Sequence, residues 1–372
     1  MRSCLIVYHY LPHYRYGVFK TLDESDEWDF TFAADADSGG SCIKTIPLEA
    51  GLKIKPLHNV QIGHVLWQRG LLCEVMRGRY DAVILLGDAS FLTTWLATLL
   101  LRCRRIPALY WTIGWHRPDR GLKRLLRLVF YRLPTALLLY GEDARQVGIR
   151  MGFPVTRMRV IGNSYESPPS GGPAVATEWT LPEGSSSRQS VYVGAVARLT
   201  PLKRFDMLLS ACKILRDDGL DVGVILTGDG SEREALNRLA NELQVPAVFT
   251  GELHEERDLQ SVYERLTISV LPERAGLTVM QSLEHGTPVV TVDDPYRQVP
   301  EFRAVLPGRT GELYKPDSVR DLAAAIRRCL TSLEANPGKM AANCRRELAE
   351  RWTPQAHAAR ILVALSEICA EN

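Results

Sequence analysis

The chain has 372 residues, of which 46% are hydrophobic and 24% are charged, and its formal net charge is +2. This length allows two domains with separate cores, because a single core stops growing at about 250–300 residues. The composition is that of a globular protein, and the near-neutral charge excludes a global attraction to nucleic acid.

The eight cysteines are scattered, without the C-x-x-C or metal-ligand spacings that mark redox and zinc sites. We interpret most of them as small buried side chains in a reducing compartment. Residues 4–10 form an apolar run with no basic leader before it. The longest apolar stretch, residues 91–101, is too short to span a bilayer. These features predict a cytoplasmic protein.

Short apolar runs alternate with amphipathic segments of helical length through the first half of the chain. The predicted strands are 4–10, 29–34, 82–87, 106–112, 136–140 and 159–162. The predicted helices are 17–23, 62–77, 90–103, 120–133 and 143–151. Such alternation is typical of a parallel sheet covered by helices.

Residues 165–190 are rich in serine, proline and glycine and interrupt this alternation near the middle of the chain. It then resumes, with predicted strands at 191–197, 222–227, 247–250, 266–271, 288–292 and 311–314 and helices between them. We therefore predict α/β domains at 1–165 and 190–350, joined by a linker or surface excursion at 166–189. A helix over 351–372 closes the chain, and its return to the first domain is one alternative. Two doubly wound halves place a ligand cleft between them.

The loop after the predicted strand 266–271 combines an acid with the start of a helix. Glu273 is followed by Gly276, which allows backbone to approach a ligand closely. Gly276, Leu277 and Thr278 open the next helix, where free N–H groups and the positive end of the helix dipole favour an anion such as phosphate. Glu273 can accept hydrogen bonds from hydroxyl groups. An anion beside a polyol indicates a sugar nucleotide.

Two cations follow the first strand of the second half. Arg198 and Lys203 flank a turn that contains Pro201, at the carboxyl end of that strand. Arginine offers a planar fork for phosphate oxygens and lysine offers a mobile point charge. The alternative is a pair of solvated surface cations, but the position after the first strand favours a phosphate site.

Five segments of the second half occur in a particular order and spacing. No single segment is specific, but the combination of the five is. They are residues 194–203, 226–230, 249–251, 273–290 and 308–313. Together they resemble the retaining glycosyltransferases of group 1, family 4 type. That family has the GT-B fold, an α/β architecture of two doubly wound Rossmann-like domains facing each other across a cleft. The first half matches loosely, at residues 11–15 and in its strand–helix rhythm.

The resemblance implies roles for the residues of the second half. Arg198 and Lys203 match the basic pair that holds the donor diphosphate, and Glu273 matches the acid that contacts the donor sugar. The second acid of the family's Glu-x7-Glu motif falls on Gln281, which can still bond a ribose hydroxyl but without the charge-assisted bond. The alternative for Gln281 is a plain amide on the helix surface.

The resemblance implies an acceptor site in the first half. His116 is the candidate to stabilise a developing charge or shuttle a proton, with a structural histidine as the alternative. Asp88 is the second candidate, and the alternative is an N-cap of the helix 90–103. Arg15 and Gly17 occupy the first strand–helix loop, which approaches the donor phosphates in the family, although its usual Gly-Gly pair is missing.

The predicted helix 120–133 interleaves arginine and lysine with leucine. One interpretation is docking on an anionic membrane surface, where lipid-linked acceptors reside. The other is an ordinary surface helix that packs its leucines on the sheet and turns its arginines outward.

The function that the resemblance implies is sugar transfer from a nucleotide-sugar donor to a sugar or lipid-linked acceptor, with retention, in polysaccharide or glycolipid assembly. We expect no cofactor and no metal site, since cations and a helix terminus neutralise the leaving diphosphate. Nucleic acid is not an expected partner. Two alternatives remain open: a nucleotide-sugar 2-epimerase that transfers nothing to an acceptor, and a non-catalytic binding subunit.

Overall fold

The computed structural model describes residues 1–37, 44–47, 50–166, 191–253, 255–336 and 338–371. The chain divides into two compact units. Unit 1 comprises Met1–Glu166 and Thr353–Asn372, and unit 2 comprises Ser167–Trp352. The predicted linker at 166–189 lies outside the described residues from position 167 onward.

The described strands and helices follow the predicted alternation. The strands are β1 (Arg2–Tyr10), β2 (Trp28–Asp35), β3 (Ile54–Pro56), β4 (His58–Ile62), β5 (Val65–Arg69), β6 (Ala82–Leu86), β7 (Ala108–Thr112), β8 (Ala136–Leu139), β9 (Met158–Val160), β10 (Val191–Val196), β11 (Val222–Thr227), β12 (Ala247–Gly251), β13 (Ile268–Leu271), β14 (Val289–Val292) and β15 (Gly311–Tyr314). The helices are α1 (Tyr16–Asp23), α2 (Leu71–Arg77), α3 (Leu92–Cys103), α4 (Gly121–Arg132), α5 (Glu142–Arg150), α6 (Phe205–Asp217), α7 (Arg233–Glu242), α8 (Glu256–Arg265), α9 (Leu277–Glu284), α10 (Val319–Ala335), α11 (Lys339–Arg351) and α12 (Pro354–Glu371).

Unit 1 is built on a seven-stranded sheet in the order β3-β2-β1-β6-β7-β8-β9. All of its strand pairs are parallel. Its central strands read as unbroken apolar runs, and Cys4, Leu5 and Ile6 of β1 have no exposed surface. Helices cover both faces of a parallel sheet, so these strands bury both of their faces and show no alternation with polar residues.

Helix α12 completes unit 1 although it comes last in the chain. Its apolar face is fully buried in the same core as β1 and β2, with Ala358, Ile361 and Leu365 at 0% exposure. A contact between the two ends of a chain is not visible in any local pattern.

The predicted helix 62–77 is wrong over its first half. Residues 58–69 form an antiparallel hairpin of β4 and β5, and only Leu71–Arg77 is helical. Gly63 and Gly70 lie in the left-handed region, at φ 61° and 95°, where they turn the chain at the hairpin tip and before α2. Gln68 fixes the hairpin because its side-chain amide donates to the carbonyl of Tyr8, at 2.9 Å.

Unit 2 is built on a six-stranded parallel sheet in the order β12-β11-β10-β13-β14-β15. Strand order therefore reverses between β10 and β13, as it does between β1 and β6 in unit 1. In open parallel sheets the loops on either side of such a reversal diverge and leave a crevice at the carboxyl ends of the strands. The predicted α/β architecture of two doubly wound sheets is confirmed.

Across the described residues, no helix is both long and apolar enough to cross a membrane.

Candidate functional site

The loop after β10 is shaped by its contact with the loop after β11. Ala197 and Leu199 donate main-chain hydrogen bonds to the carbonyls of Thr227 and Asp229, at 2.9 and 2.8 Å. Gly228 and Gly230 have positive φ values, and a Cβ at either would collide with the carbonyl oxygen of Ala197 or Leu199. The glycines around Asp229 are therefore required by close backbone packing. They set the course of the loop that carries Arg198 and Lys203.

Lys203 reaches from this loop to the loop that follows β13. Its ammonium donates a 2.7 Å hydrogen bond to the main-chain carbonyl of Arg274. Partial burial and the nearby Arg274 guanidinium lower the pKa of Lys203. The side chain of Arg198, on the same loop, is exposed. The structure therefore brings Lys203 beside the 272–276 loop and leaves the Arg198 guanidinium in solvent.

Glu273 is buried at the start of the 272–276 loop, with 8% of its surface exposed. Its Oε1 accepts a 2.9 Å hydrogen bond from Arg297, and its Oε2 accepts none from the residues that the structure describes. Burial raises the pKa of Glu273, against the opposing effect of Arg297. The carboxylate thus keeps one oxygen for a further donor, as a ligand hydroxyl would require.

Arg297 is a member of the site that the sequence reasoning missed. Its guanidinium bonds Asp317 through both terminal nitrogens, at 2.9 and 2.6 Å, as well as Glu273. The hydrogen bonds to Asp317 are the main cause of the raised pKa of Arg297. Arg204 adds a second cation at 3.8 Å from Asp317. Arg297 follows β14, so the rule that pointed to Glu273 after β13 would also have found it.

Two buried side chains hold the 272–276 loop in place. Gln298 accepts a 2.8 Å hydrogen bond from the main-chain N–H of Ala275, while its amide donates to the Thr291 hydroxyl at 2.6 Å. The Tyr314 hydroxyl donates to the carbonyl of Pro272, at 2.9 Å. The loop is thus fixed at both of its ends, and the sequence reasoning missed both supports.

Helix α9 begins where this loop ends. Gly276 is its N-cap residue and provides no side-chain cap, so among the described residues no side chain caps the N–H groups of the first turn at Leu277 and Thr278. A Cβ at Gly276 would meet its nearest neighbour, Val299, at an ordinary 3.7 Å. Packing among the described residues therefore does not demand glycine here, in contrast to Gly228. Gln281 lies one turn into α9, half-buried, and its side chain makes no hydrogen bond within the described chain.

Arg15 is a buried cation of unit 1, at 6% exposure. It donates to Asn163 and, at 3.0 Å, to the Tyr140 hydroxyl, and its guanidinium lies over the ring of Trp111. These partners come from the carboxyl ends of β7, β8 and β9. The first strand–helix loop is therefore part of the polar edge of the sheet of unit 1. The predicted role of Arg15 at the donor phosphates stays a prediction.

Gly17 is buried in α1, and a Cβ there would collide with the Glu166 carboxylate and meet Pro354 at 2.8 Å. Close packing is thus a sufficient reason for this glycine. Its predicted role at the donor stays a prediction.

His357 of α12 was missed by the sequence reasoning. It is fully buried, its Nδ1 lies 3.1 Å from the Ser164 hydroxyl, and its ring packs edge-on against Trp111. Burial lowers the pKa of His357, and the Arg15 and Arg360 guanidinium groups lower it further. The contact joins residues 193 positions apart, so no sequence motif could have signalled it.

Asp88 and His116 line one pocket of about 350 Å³ at the carboxyl ends of β6 and β7. Both side chains are exposed. The Asp88 carboxylate accepts from the Ser90 N–H at 2.9 Å and from the Ser90 hydroxyl at 2.7 Å. The alternative of Asp88 as an N-cap is wrong, because α3 begins after Phe91 without a side-chain cap. The two predicted acceptor-side residues thus share a concave surface.

Three of the four leucines of helix α4 do not pack on the sheet, whereas Leu128 is partly buried against the core of unit 1. Leu122, Leu125, Leu126 and Val129 are 45–70% exposed, while its last turn is anchored by the buried Phe130 and Tyr131. The interpretation as an ordinary amphipathic surface helix is wrong for this face. The neighbouring α3, which meets α4 through the rings of Trp95 and Phe130, exposes Leu92, Leu96 and Leu99.

Residues 190–332 match the family described as glycosyl transferases group 1. A curated relative from Mycobacterium tuberculosis, a GDP-mannose-dependent alpha-(1-6)-phosphatidylinositol dimannoside mannosyltransferase, is 26% identical over 180 residues, which cover 47% of this chain and 44% of that protein. The match thus spans less than half the length of this relative.

Solved structures resemble the whole chain. The lipopolysaccharide outer core galactosyltransferase WaaB has 15% identity and a TM-score of 0.71, and the alignment covers 99% of both chains. The HepE protein of Anabaena in complex with UDP has 16% identity and a TM-score of 0.70, with 99% and 100% covered. At these identities the likeness shows the fold. The chain is an α/β protein of the GT-B fold, and its residues 190–332 match the family of group 1 glycosyltransferases.

Proposed function

We propose that this chain transfers a sugar from a nucleotide-sugar donor to a sugar or lipid-linked acceptor, with retention of configuration, in polysaccharide or glycolipid assembly. The observation that carries the proposal is the meeting of Lys203 with the Glu273 loop at the crevice between β10 and β13. A cation, a buried carboxylate and an uncapped helix start at one sheet edge suit a phosphate linked to a polyol.

In this proposal the chemistry is divided among the residues of the site. Arg198, Lys203 and the first turn of α9 at Gly276, Leu277 and Thr278 neutralise the departing diphosphate, so no metal ion is required. Glu273 accepts hydrogen bonds from the donor sugar.

The remaining roles complete the proposed assignment. Gln281 bonds a ribose hydroxyl, and Arg15 and Gly17 belong to the loop assigned to the phosphates. His116 and Asp88 serve the acceptor side, where the imidazole can move a proton. The names of the relatives support a nucleotide-sugar donor, because one is GDP-mannose-dependent and another binds UDP.

The test is transfer by the full chain from a panel of nucleotide sugars, followed as release of the nucleoside diphosphate with and without acceptor. We expect Glu273→Gln to lower acceptor-dependent release at least about 100-fold, a typical effect of removing one preorganised polar contact to the reacting groups. Glu234→Gln, at an exposed position on α7, is the control. Conversion of donor without acceptor would identify an epimerase, and diphosphate binding without turnover would identify a binding subunit.

We further propose that unit 1 docks on an anionic membrane through the exposed leucines of α3 and α4, which we call the leucine face. Arg120, Lys123 and Arg124 are exposed along α4 beside these leucines. An apolar face flanked by cations fits the interface of a membrane that contains acidic lipids. The docking places the protein beside lipid-linked acceptors, and the name of the mycobacterial relative contains a lipid, phosphatidylinositol dimannoside.

Vesicle binding tests this surface directly. The double variant Leu125→Gln and Leu126→Gln should lose co-sedimentation with vesicles of acidic lipid, since it removes apolar area while keeping every cation. The exposed Val363→Gln of α12 is the control. Binding that is unchanged in the double variant, or that does not weaken as salt is raised, would overturn the proposal.

A further inference from the structure

A basic pocket lies at one edge of the sheet of unit 1, opposite to the edge that carries Asp88 and His116. It is a cavity of about 650 Å³ at the amino ends of β7, β8 and β9. Arg102, Arg105, Arg157 and Arg159 line it. The five residues of β7 separate the two edges by about 15 Å, at 3.3 Å per residue. We call this cavity the arginine pocket.

Hydrogen bonds to main-chain carbonyls fix three of these arginines, one of which, Arg159, donates to Thr156 at 2.5 Å. Arg157 donates from Nε to Thr135 at 3.0 Å and from Nη2 to Arg132 at 3.1 Å. Arg102 donates to Leu133 at 3.3 Å. Because carbonyl oxygens carry no formal charge, these bonds orient the guanidinium groups without neutralising them.

The charges around the arginine pocket are poorly balanced. In the described part of the chain no aspartate or glutamate lines it, and Arg159 forms an ion pair with Glu367, at 2.7 Å. Arg157 has a lowered pKa, first because of burial and then because of its like-charged neighbours Arg102 and Arg132. Arg105 is exposed, and its side chain makes no hydrogen bond with the described residues.

We propose that the arginine pocket binds a phosphomonoester or diphosphate group, at a site separate from the proposed donor site. Several guanidinium forks around one cavity match the oxygens of a terminal phosphate better than those of a diester, which presents fewer charged oxygens. Fixed guanidinium groups also lose little entropy when the anion binds.

The phosphate has two sources, a lipid headgroup or a free phosphate compound. The pocket adjoins the leucine face, since Leu99 lies one helical turn before Arg102 on α3, and the exposed Val129 of α4 lies one turn before Leu133, the residue that follows the helix. A headgroup phosphate would therefore enter the pocket while the leucine face contacts the membrane. This lipid source rests on the proposed docking, whereas the free-phosphate source does not.

Hydrogen exchange of the full chain with inorganic pyrophosphate tests the pocket, because it locates the binding. We expect protection of segments 102–107, 132–136 and 155–159, separate from any protection of 197–204 and 272–278 at the donor site. Arg105→Gln and Arg102→Gln should each weaken the pocket's affinity at least about tenfold, the loss of one charge-assisted bond. Arg77→Gln, an exposed arginine of α2, is the control. The proposal would be overturned if pyrophosphate gave these segments no protection from exchange. It would also be overturned if both arginine variants bound pyrophosphate as tightly as the wild type and had the melting temperature of the wild type.

Vesicles of equal surface charge separate the two sources. Phosphatidic acid presents a phosphomonoester and phosphatidylglycerol a diester, so a lipid source predicts tighter binding to phosphatidic acid and loss of that preference in Arg105→Gln. Equal binding to both lipids, with pyrophosphate protection retained, assigns the pocket to a free phosphate. Transfer to a water-soluble acceptor should be unchanged in Arg105→Gln, so failure of the pocket is distinguishable from failure of the proposed transferase activity.

Discussion

The Lys203 ammonium donates a 2.7 Å hydrogen bond to the main-chain carbonyl of Arg274. The bond joins the loop after β10 to the loop after β13, the two neighbours between which the strand order of unit 2 reverses. It holds a positive charge beside the residue that follows Glu273. Because the acceptor is a neutral carbonyl, the charge of Lys203 remains available to an anion at the crevice.

Lys203→Met should remove this charge while keeping a side chain of similar length. We expect transfer to fall at least about 100-fold, since a fixed cation at the leaving group acts where negative charge develops. The melting temperature should change little, because Lys203 is partly exposed and its hydrogen-bond acceptor can turn to water. Lys213→Met on α6 removes an equivalent charge that pairs with Asp217. Transfer within twofold of wild type in Lys203→Met would refute the assignment.

Glu273 should leave a signature in the pH dependence of stability. Its pKa is raised by burial, so the folded state holds a proton that the unfolded state has already released. The free energy of unfolding therefore falls as the pH rises from the ordinary value, 4.5, through the folded-state pKa. Glu273→Gln removes this fall in the free energy of unfolding, because glutamine does not titrate. The melting temperature of the variant minus that of wild type should become more positive between about pH 4.5 and 7. A difference that becomes more negative would show that the Arg297 ion pair prevails over burial.

Gln281→Glu should strengthen donor binding. Hydrogen bonds to charged groups contribute about 1 kcal/mol more than neutral ones, which corresponds to about a fivefold change in affinity. Stability should stay within about 0.5 kcal/mol of wild type, since the Gln281 side chain makes no hydrogen bond with the described residues. Calorimetric titration with nucleoside diphosphates measures the effect, and Gln355→Glu places the same charge on α12 as a control. Unaltered affinity would assign Gln281 to the helix surface.

Gln298→Leu should destabilise unit 2 and weaken the donor site together. The substitution leaves the buried N–H of Ala275 without an acceptor, which costs about 1–3 kcal/mol. Thermal unfolding and diphosphate titration of the same preparation measure both effects. Gln260→Leu is the control, because Gln260 makes a side-chain hydrogen bond to Glu264 on an exposed helix face. A stable variant with normal affinity would show that the 272–276 loop does not depend on Gln298.

The predicted strands were confirmed where a strand can be recognised from the residues of its own segment. Parallel strands buried on both faces are continuous apolar runs, so β1 and β11 could be located without knowledge of their partners. The residues after such strands meet at one sheet edge, which is why Glu273 and Lys203 could be proposed as neighbours. The hairpin β4–β5 was missed because its strands are five residues long and neither carries an apolar run of more than three residues, so Gly63 and Gly70 were the main local signals.

The sequence by itself determined the strand–helix alternation, the two parallel sheets and the loops that carry the candidate donor residues, since each depends on local periodicity and on turn chemistry. Only the tertiary structure decided that Arg297 joins Glu273 to Asp317, that His357 returns to the edge of the sheet of unit 1, and that Leu122, Leu125 and Leu126 of α4 face outward. These facts depend on which side chains meet across long separations in the chain. A hydrogen bond between two distant residues, or the burial of one against the other, cannot be inferred from the sequence pattern of either segment alone.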